Sequence, residues 1–199
     1  MNVNCLLAGV GGQGTVLASK IIAQTAINQS YSAHTSETIG MAQRGGSVVS
    51  HVRLGKDTCA PAIPKGQANV IIGFEPAEAV RNLRYLHQDG TMLINRDPIM
   101  PVTASLGVGS YEVETILDFA KQQAKRVILV DGQALCEKAG SAKVLNVIML
   151  GVALKAGLLP FTKAEIMQTL EENLPLKFLA LNRQAFDIGY RYDVGECAK

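Results

Sequence analysis

Three glycines, Gly9, Gly11 and Gly14, stand at the spacing Gly-x-Gly-x-x-Gly within LLAGVGGQGTVLASKII, residues 6–22. An apolar run precedes them and a helix-like stretch follows. The spacing suits a tight strand-to-helix turn. The missing Cβ atoms let a phosphate come close to the backbone, and the helix N-terminus beyond offers free N–H groups to an anion. Gly12 and Gln13 fill the turn, adding a further glycine and a long amide. Glu37 lies at the end of a predicted second strand, roughly where a dinucleotide-binding fold keeps its ribose-binding carboxylate. The same residues also suit a turn that binds nothing, because any tight strand-to-helix connection favours glycine. On the loop alone both readings stay open.

A second glycine cluster follows in SETIGMAQRGGSVVSHVRLG, residues 36–55. It runs from one predicted strand into the next with no helix between them. A dinucleotide-binding βαβ unit would place a crossover helix there. Instead the loop holds Gly40, Met41, Gln43, Arg44 and the pair Gly45–Gly46. Adjacent glycines allow a close approach, and Arg44 offers a fork of donors to a carboxylate or a phosphate. The alternative is a structural loop whose arginine bonds a carboxylate of its own chain, such as Glu37.

The other reactive side chains receive plainer readings. Cys5, Cys59, Cys136 and Cys197 are far apart and form no CxxC pair, so their spacing encodes neither a zinc nor an iron–sulfur site. Unpaired thiols in a reducing cytoplasm are the expectation. His34, His51 and His87 are dispersed, with no matching carboxylate or cysteine, and no metal site is expected from them. Asp131 ends a strand and precedes a helix, which makes it an N-cap candidate. Lys20 and Lys143 read as solvated.

These residues need a frame. Short apolar runs predict strands over 3–8, 31–37, 45–55, 69–74, 90–95 and 126–131. Helical spacing appears over 14–28, over 75–86 with Pro76 in the first turn, and over 113–124. Beyond residue 131 the chain reads as helical, over 142–157, 162–174 and 176–192. Gly157 and Pro160 break the run, and Thr162 with Glu165 forms a capping-box pattern. The 144–156 stretch is apolar around most of its circumference, which suits core or a partner contact. Nearly all-apolar strands alternating with helices predict an α/β fold, a Rossmann-like and mostly parallel sheet with helices on both faces and a helical C-terminal tail. The expected organisation is a single unit over 1–199, with an α/β core over 1–157 and the tail over 158–199. Ligands in such sheets bind beyond the carboxyl ends of the strands, so Gly9–Gly14 marks the expected working edge.

Composition narrows the classes of function. The chain has 199 residues, 48% hydrophobic and 18% charged, which suits a well-packed fold with no sign of disorder. A formal net charge of +2 gives no footprint for nucleic acid or an anionic membrane. No apolar run reaches the roughly 18 residues that a membrane span needs. The N-terminus reads as a strand and not as a signal peptide. A cytoplasmic protein is expected.

GVGGQGTVLASKIIAQ together with SETIGMAQRGGSVVSHVRLG resembles the small subunit of indolepyruvate:ferredoxin oxidoreductases. More broadly it resembles the gamma subunit or domain of 2-oxoacid:ferredoxin oxidoreductases. Asp131–Gly132, Asn146 and Leu150–Gly151 extend the likeness, which covers most of residues 3–155. The run Met41 to Gly46 fits the indolepyruvate branch better than the pyruvate or oxoglutarate branches. Ile39 departs from the pattern, standing where that branch often has a histidine.

The resemblance implies an accessory subunit, inactive alone. Its complex would cleave a 2-oxoacid on thiamine diphosphate, release carbon dioxide, form an acyl-CoA and pass two electrons through iron–sulfur clusters to ferredoxin. Thiamine diphosphate and the clusters would lie in a large partner subunit, with coenzyme A also used by the complex. This chain alone would hold no cofactor and supply no catalytic side chain. Its ligand- or partner-facing residues would be Gly11, Gly12, Gln13, Gly14, Glu37, Met41, Gln43, Arg44, Gly45 and Gly46. Arg44 is expected to meet an anion, with Glu37 holding it and Gln13 and Gln43 bonding polar edges. Two other readings remain: a stand-alone nucleotide-binding oxidoreductase, and a non-catalytic assembly module.

Overall fold

The computed structural model describes residues 2–40, 45–56, 60–100 and 111–195. One sheet of six strands runs through it in the order β2-β3-β1-β4-β5-β6. The strands are β1 (Val3–Val10), β2 (Ala33–Ile39), β3 (Ser47–Leu54), β4 (Ala68–Gly73), β5 (Leu86–Asn95) and β6 (Arg126–Val130). β1, β4, β5 and β6 are parallel neighbours, whereas β3 runs antiparallel to both β1 and β2. The Rossmann-like reading holds for the four parallel strands. It stops at β3, which lies between β1 and β2.

The helices are α1 (Thr15–Asn28), α2 (Pro76–Arg81), α3 (Val113–Gln123), α4 (Gly132–Ala139), α5 (Leu145–Lys155), α6 (Lys163–Asn173) and α7 (Leu176–Tyr190). They cover both faces of the sheet. β1 shows the division: Cys5 and Leu7 point into the core under α1 and α4–α7, while Leu6 and Ala8 point into the core under α2 and α3. This is the period-two alternation of a strand with both faces buried.

The apolar helix α5 is core: every residue from Asn146 to Leu154 is buried. Two glycines let α7 lie on it. A Cβ at Gly189 would overlap the Ile148 carbonyl, and one at Gly151 would lie 2.8 Å from the Tyr190 nitrogen. Ala185, Phe186, Ile166 and Leu170 therefore share one core with Leu7 and Ile72. The segment expected as a tail is built into the main core, and α5 has no face left for a partner.

Local signals in the sequence reappear as hydrogen bonds. Thr162 and Glu165 form the reciprocal capping box, and the Asp131 carboxylate caps α4 by accepting from the Ala134 N–H at 3.0 Å. The helix expected over 75–86 is corrected: α2 ends at Arg81, a 3-10 turn covers Leu83–Tyr85, and β5 begins at Leu86, earlier than the predicted 90. The Asn82 side chain donates to the Glu78 carbonyl, and its own N–H turns to Ala79, which tightens the helix to its end. β5 then pairs with β4 across a register shift between Ala68 and Val70. Among the described residues no helix is long and apolar enough to cross a membrane.

His51 is buried in β3, where its Nδ1 accepts the Ile63 N–H at 3.2 Å and its ring meets Tyr85 edge-on. Burial holds its pKa below the ordinary 6.5. The native state therefore keeps the ring neutral, and the unfolded chain binds the proton first. The His51 contribution to stability is complete above the unfolded pKa and is lost progressively as pH falls from there through the lower folded pKa. Urea midpoints measured from about pH 8 to pH 5 should fall on the acid side, and His51→Gln should flatten that slope.

Candidate functional site

The loop after β1 is held open by its own glutamine. Gln13 Oε1 accepts the Val10 N–H at 2.8 Å, and Gln13 Nε2 donates to the Phe74 carbonyl at 2.8 Å, across to the end of β4. α1 then starts at Thr15. Its N-cap, Gly14, has φ 76°, a left-handed conformation that glycine tolerates without strain, and it has no side chain with which to cap the helix. A Cβ at Gly14 would also press on the amide of Asn146, which donates to the Gly14 carbonyl at 3.4 Å. The Thr15 hydroxyl is buried with no hydrogen-bond partner among the described residues. The first turn of α1 holds no acidic residue. This end of the helix is free to receive an anion.

A second wall faces this loop across a cavity of about 890 Å³. Gly11, Gly12 and Gln13 line one side, and Asn95, Asp97, Ile99, Gly132 and Gln133 line the other. The N-terminus of α4 belongs to that second wall, and it is fully capped. Gly132 N–H donates to Asn95 Oδ1 at 3.1 Å, Gln133 N–H to Asp97 Oδ2 at 2.6 Å, and Ala134 N–H to Asp131 Oδ1. Three amides that a helix normally leaves orphaned are thus already taken, two of them by carboxylates. Asp97 and Glu137 bring carboxylates to the α4 side of the cavity, whereas on the glycine-loop side the Gly11 N–H is bonded to the Gly46 carbonyl and the Gln13 N–H to the Val10 carbonyl. Cys136 also lines it, with its thiol pushed up to about 11 by burial and then by the neighbouring Asp97 charge. That thiol stays protonated near neutral pH.

The carboxyl edge continues around the end of β4. Glu75 caps α2 by accepting from the Glu78 N–H at 2.9 Å, and it also accepts a short hydrogen bond from the Tyr111 hydroxyl. Burial raises the Glu75 pKa, and the Tyr111 bond opposes the rise. Glu78 accepts from the Ser47 hydroxyl at 2.6 Å and pairs with Arg81. Ser47 opens β3, so α2 anchors the strand that leaves the second glycine cluster.

The predicted site residues separate into three groups. Gly11, Gly12 and Gln13 line the cavity, with Gly14 behind them. Gly46 joins them, because its carbonyl accepts the Gly11 N–H at 2.9 Å, and Gly45 adjoins it with φ 72°. The two glycine clusters therefore meet at the carboxyl edge. Gln13 is mostly committed to the backbone, so it shapes the edge more than it offers a free amide. Glu37 lies apart on the edge strand β2, with β3 between it and β1, and it accepts from Ser19 at 3.3 Å. A ribose held at the glycine loop would not find it, so the dinucleotide reading loses its carboxylate. Met41, Gln43 and Arg44 lie outside the described residues.

Asn95, Asp97 and Gln133 were missed in the sequence. Their signal was available, since Asn95 ends one predicted strand and Gln133 follows another at the same sheet edge. Among the described residues no three His, Cys, Asp or Glu side chains group to hold a metal ion.

The sequence profile of the pyruvate ferredoxin/flavodoxin oxidoreductase family matches residues 4–192. The chain belongs to that family. Within it, the chain is 38% identical over 191 residues to the indolepyruvate oxidoreductase subunit IorB of Archaeoglobus fulgidus, covering 96% of this chain and 94% of that one. It is 24% identical over 184 residues to the pyruvate/ketoisovalerate oxidoreductases common subunit gamma of Pyrococcus abyssi, covering 90% and 92%. The fold is shared with the 2-oxoglutarate:ferredoxin oxidoreductase of Magnetococcus marinus, solved with 2-oxoglutarate, coenzyme A and succinyl-CoA bound. That match has a TM-score of 0.72 at 14% identity and covers all of this chain and 32% of that one. This member of the pyruvate ferredoxin/flavodoxin oxidoreductase family is a subunit of a 2-oxoacid:ferredoxin oxidoreductase.

Gln13 gives a direct check on the cavity wall. Gln13→Glu keeps the acceptor for Val10 but turns an oxygen toward the Phe74 carbonyl. Urea denaturation should show a loss of about 1–3 kcal/mol, the cost of setting a carboxylate oxygen against the buried Phe74 carbonyl in place of a donor.

Proposed function

We propose that the chain is the small subunit of an indolepyruvate-type oxidoreductase and that its carboxyl edge is the face it presents to a large partner subunit. The observation that carries the reading is the 38% identity to an indolepyruvate oxidoreductase subunit along nearly the whole length of both chains. The lower, 24% identity to the gamma subunit shared by pyruvate and ketoisovalerate enzymes favours an aryl 2-oxoacid as substrate. Three large aliphatic side chains support a contact at that edge: Ile39 is 65% exposed, Ile99 42% and Met100 50%. Ile99 and Met100 are neighbours beside the cavity, and Ile39 ends the edge strand β2 on the same side of the sheet.

In the reaction implied, a 2-oxoacid loses carbon dioxide, its acyl group passes to the thiol of coenzyme A, and two electrons leave for ferredoxin. Thiamine diphosphate and iron–sulfur clusters supply the carbanion and electron chemistry, and in this reading the large subunit holds them. The residues of this chain fit coenzyme A better. The start of α1 and the buried Thr15 hydroxyl, which have no side-chain partner among the described residues, and the glycine backbone at Gly11–Gly14 suit a phosphate. The capped α4 wall turns anions away, so a phosphate belongs on the α1 side. Arg44 is assigned to a coenzyme phosphate or a partner carboxylate, from the loop whose Gly46 end meets Gly11.

The test is reconstitution. The chain, co-expressed anaerobically with its large subunit, should purify in a complex whose large subunit holds iron, acid-labile sulfide and thiamine diphosphate. The complex should oxidise indolepyruvate with a dye acceptor, in a reaction that requires coenzyme A. The chain alone should be inactive. Arg44→Ala should raise the KM for coenzyme A by about tenfold, as expected for a lost charged contact. A complex that turns over equally well without this chain contradicts the reading.

A further inference from the structure

Asn95 is 2% exposed and spends its whole amide on four hydrogen bonds. Its Nδ2 donates to the Phe74 carbonyl at 3.1 Å and to the Asp97 carbonyl at 3.3 Å. Its Oδ1 accepts the Gly132 N–H at 3.1 Å and the Asp97 N–H at 3.3 Å. One side chain thus ties the end of β4 to the exit of β5 and to the first residue of α4. The Phe74 carbonyl it reaches is the one that Gln13 holds from the opposite side. The two walls of the cavity are therefore referenced to a single backbone oxygen, Gln13 fixing the glycine-loop wall and Asn95 the wall of Asp97 and Gly132.

We propose that Asn95 is a positioning residue for the cavity: it sets the Asp97–Ile99 and Gly132–Gln133 wall at its distance from the Gly11–Gln13 loop. The side chain touches the backbone and not the reacting atoms. Its chemistry explains why an amide is needed. Two of its bonds run to carbonyls and need an N–H donor, and two run to N–H groups and need an acceptor. Aspartate has the same shape but lacks the donor, and it would set an oxygen against two carbonyl oxygens. Gly132 is matched to the arrangement, since a Cβ there would lie 2.5 Å from Asn95 Oδ1. The functional consequence rests on the reading that this cavity receives coenzyme A.

The Gly132 amide is the diagnostic probe. It is the first amide of α4 and has no intrahelical partner, so its protection from exchange reports on the Asn95 bond. The experiment compares wild type, Asn95→Leu and Gly132→Ala in the assembled complex. It follows amide hydrogen exchange together with KM and kcat. Leucine has a similar volume and removes both the donor and the acceptor, so in Asn95→Leu exchange at Gly132 and Asp97 should accelerate by about tenfold or more. The KM for coenzyme A should rise by about tenfold, while kcat at saturating coenzyme and the KM for the 2-oxoacid stay within about twofold. Gly132→Ala, which displaces the amide without removing it, should accelerate exchange at Asp97 and raise the same KM. Faster exchange with an unchanged KM for coenzyme A upholds the positioning role and removes coenzyme A from the cavity. Unchanged exchange at Asp97 and Gly132 in a folded Asn95→Leu variant overturns the positioning role, whatever KM does. Should both variants fail to fold, wild-type exchange decides. Protection at Gly132 as strong as at the sheet-bonded Phe74 amide supports the proposal, and rapid exchange there refutes it.

Discussion

The carbonyl oxygen of Phe74 accepts hydrogen bonds from Gln13 and Asn95, and the carboxyl edge of the sheet is organised around it. The ladder of a parallel sheet ends at the strand termini, where backbone groups need other partners. Here two side-chain amides take over. They join the ends of β1, β4 and β5 and the start of α4 into one edge. The cavity lies between the loops they hold. The cost of breaking either bond is the cost of leaving a buried carbonyl or amide unmet, so the edge is pinned on both sides.

The insertion of β3 beside β1 changes what that edge can do. In a dinucleotide fold the second strand lies next to the first and carries the ribose-binding acid. Here antiparallel β3 takes that place, and Glu37 is carried outward to the edge of the sheet. What β3 brings instead is the second glycine cluster, since its first residue follows Gly46 directly. The carbonyl of Gly46 then meets Gly11. A loop that would have completed a nucleotide site completes a surface. On the far side of the cavity, α4 ends its own orphan amides on Asn95, Asp97 and Asp131, which leaves α1 as the open helix end. The C-terminal helices give this edge its support, because the close crossing of Gly151 and Gly189 seals the core beneath α1 and α4.

Much of this was legible in the sequence, because the signals were local. Apolar runs in β1, β4, β5 and β6 marked parallel strands buried on both faces. Pro76, Asp131 and the Thr162–Glu165 pair marked helix starts through chemistry that acts within four residues. What stayed hidden was set by tertiary pairing. Asn95 bonds residues far along the chain in both directions, and no periodicity encodes that. Tyr111 reaches Glu75 from 36 residues further along the chain. Helix α2 looked longer than it is because Asn82 to Tyr85 have helical apolar spacing, while β4 draws Leu86 into the sheet. Glu37 looked well placed because sequence distance cannot show that β3 intervenes.

Hydrogen exchange on the free chain and on the complex tests whether the carboxyl edge is the face used in the assembly, as proposed above. Assembly should protect residues 11–14, 45–46 and 97–100. Residues 29–32 and 64–67, at the opposite edge of the sheet, should exchange as they do in the free chain. Protection confined to that opposite edge, with the glycine loops still exchanging freely, would contradict the account.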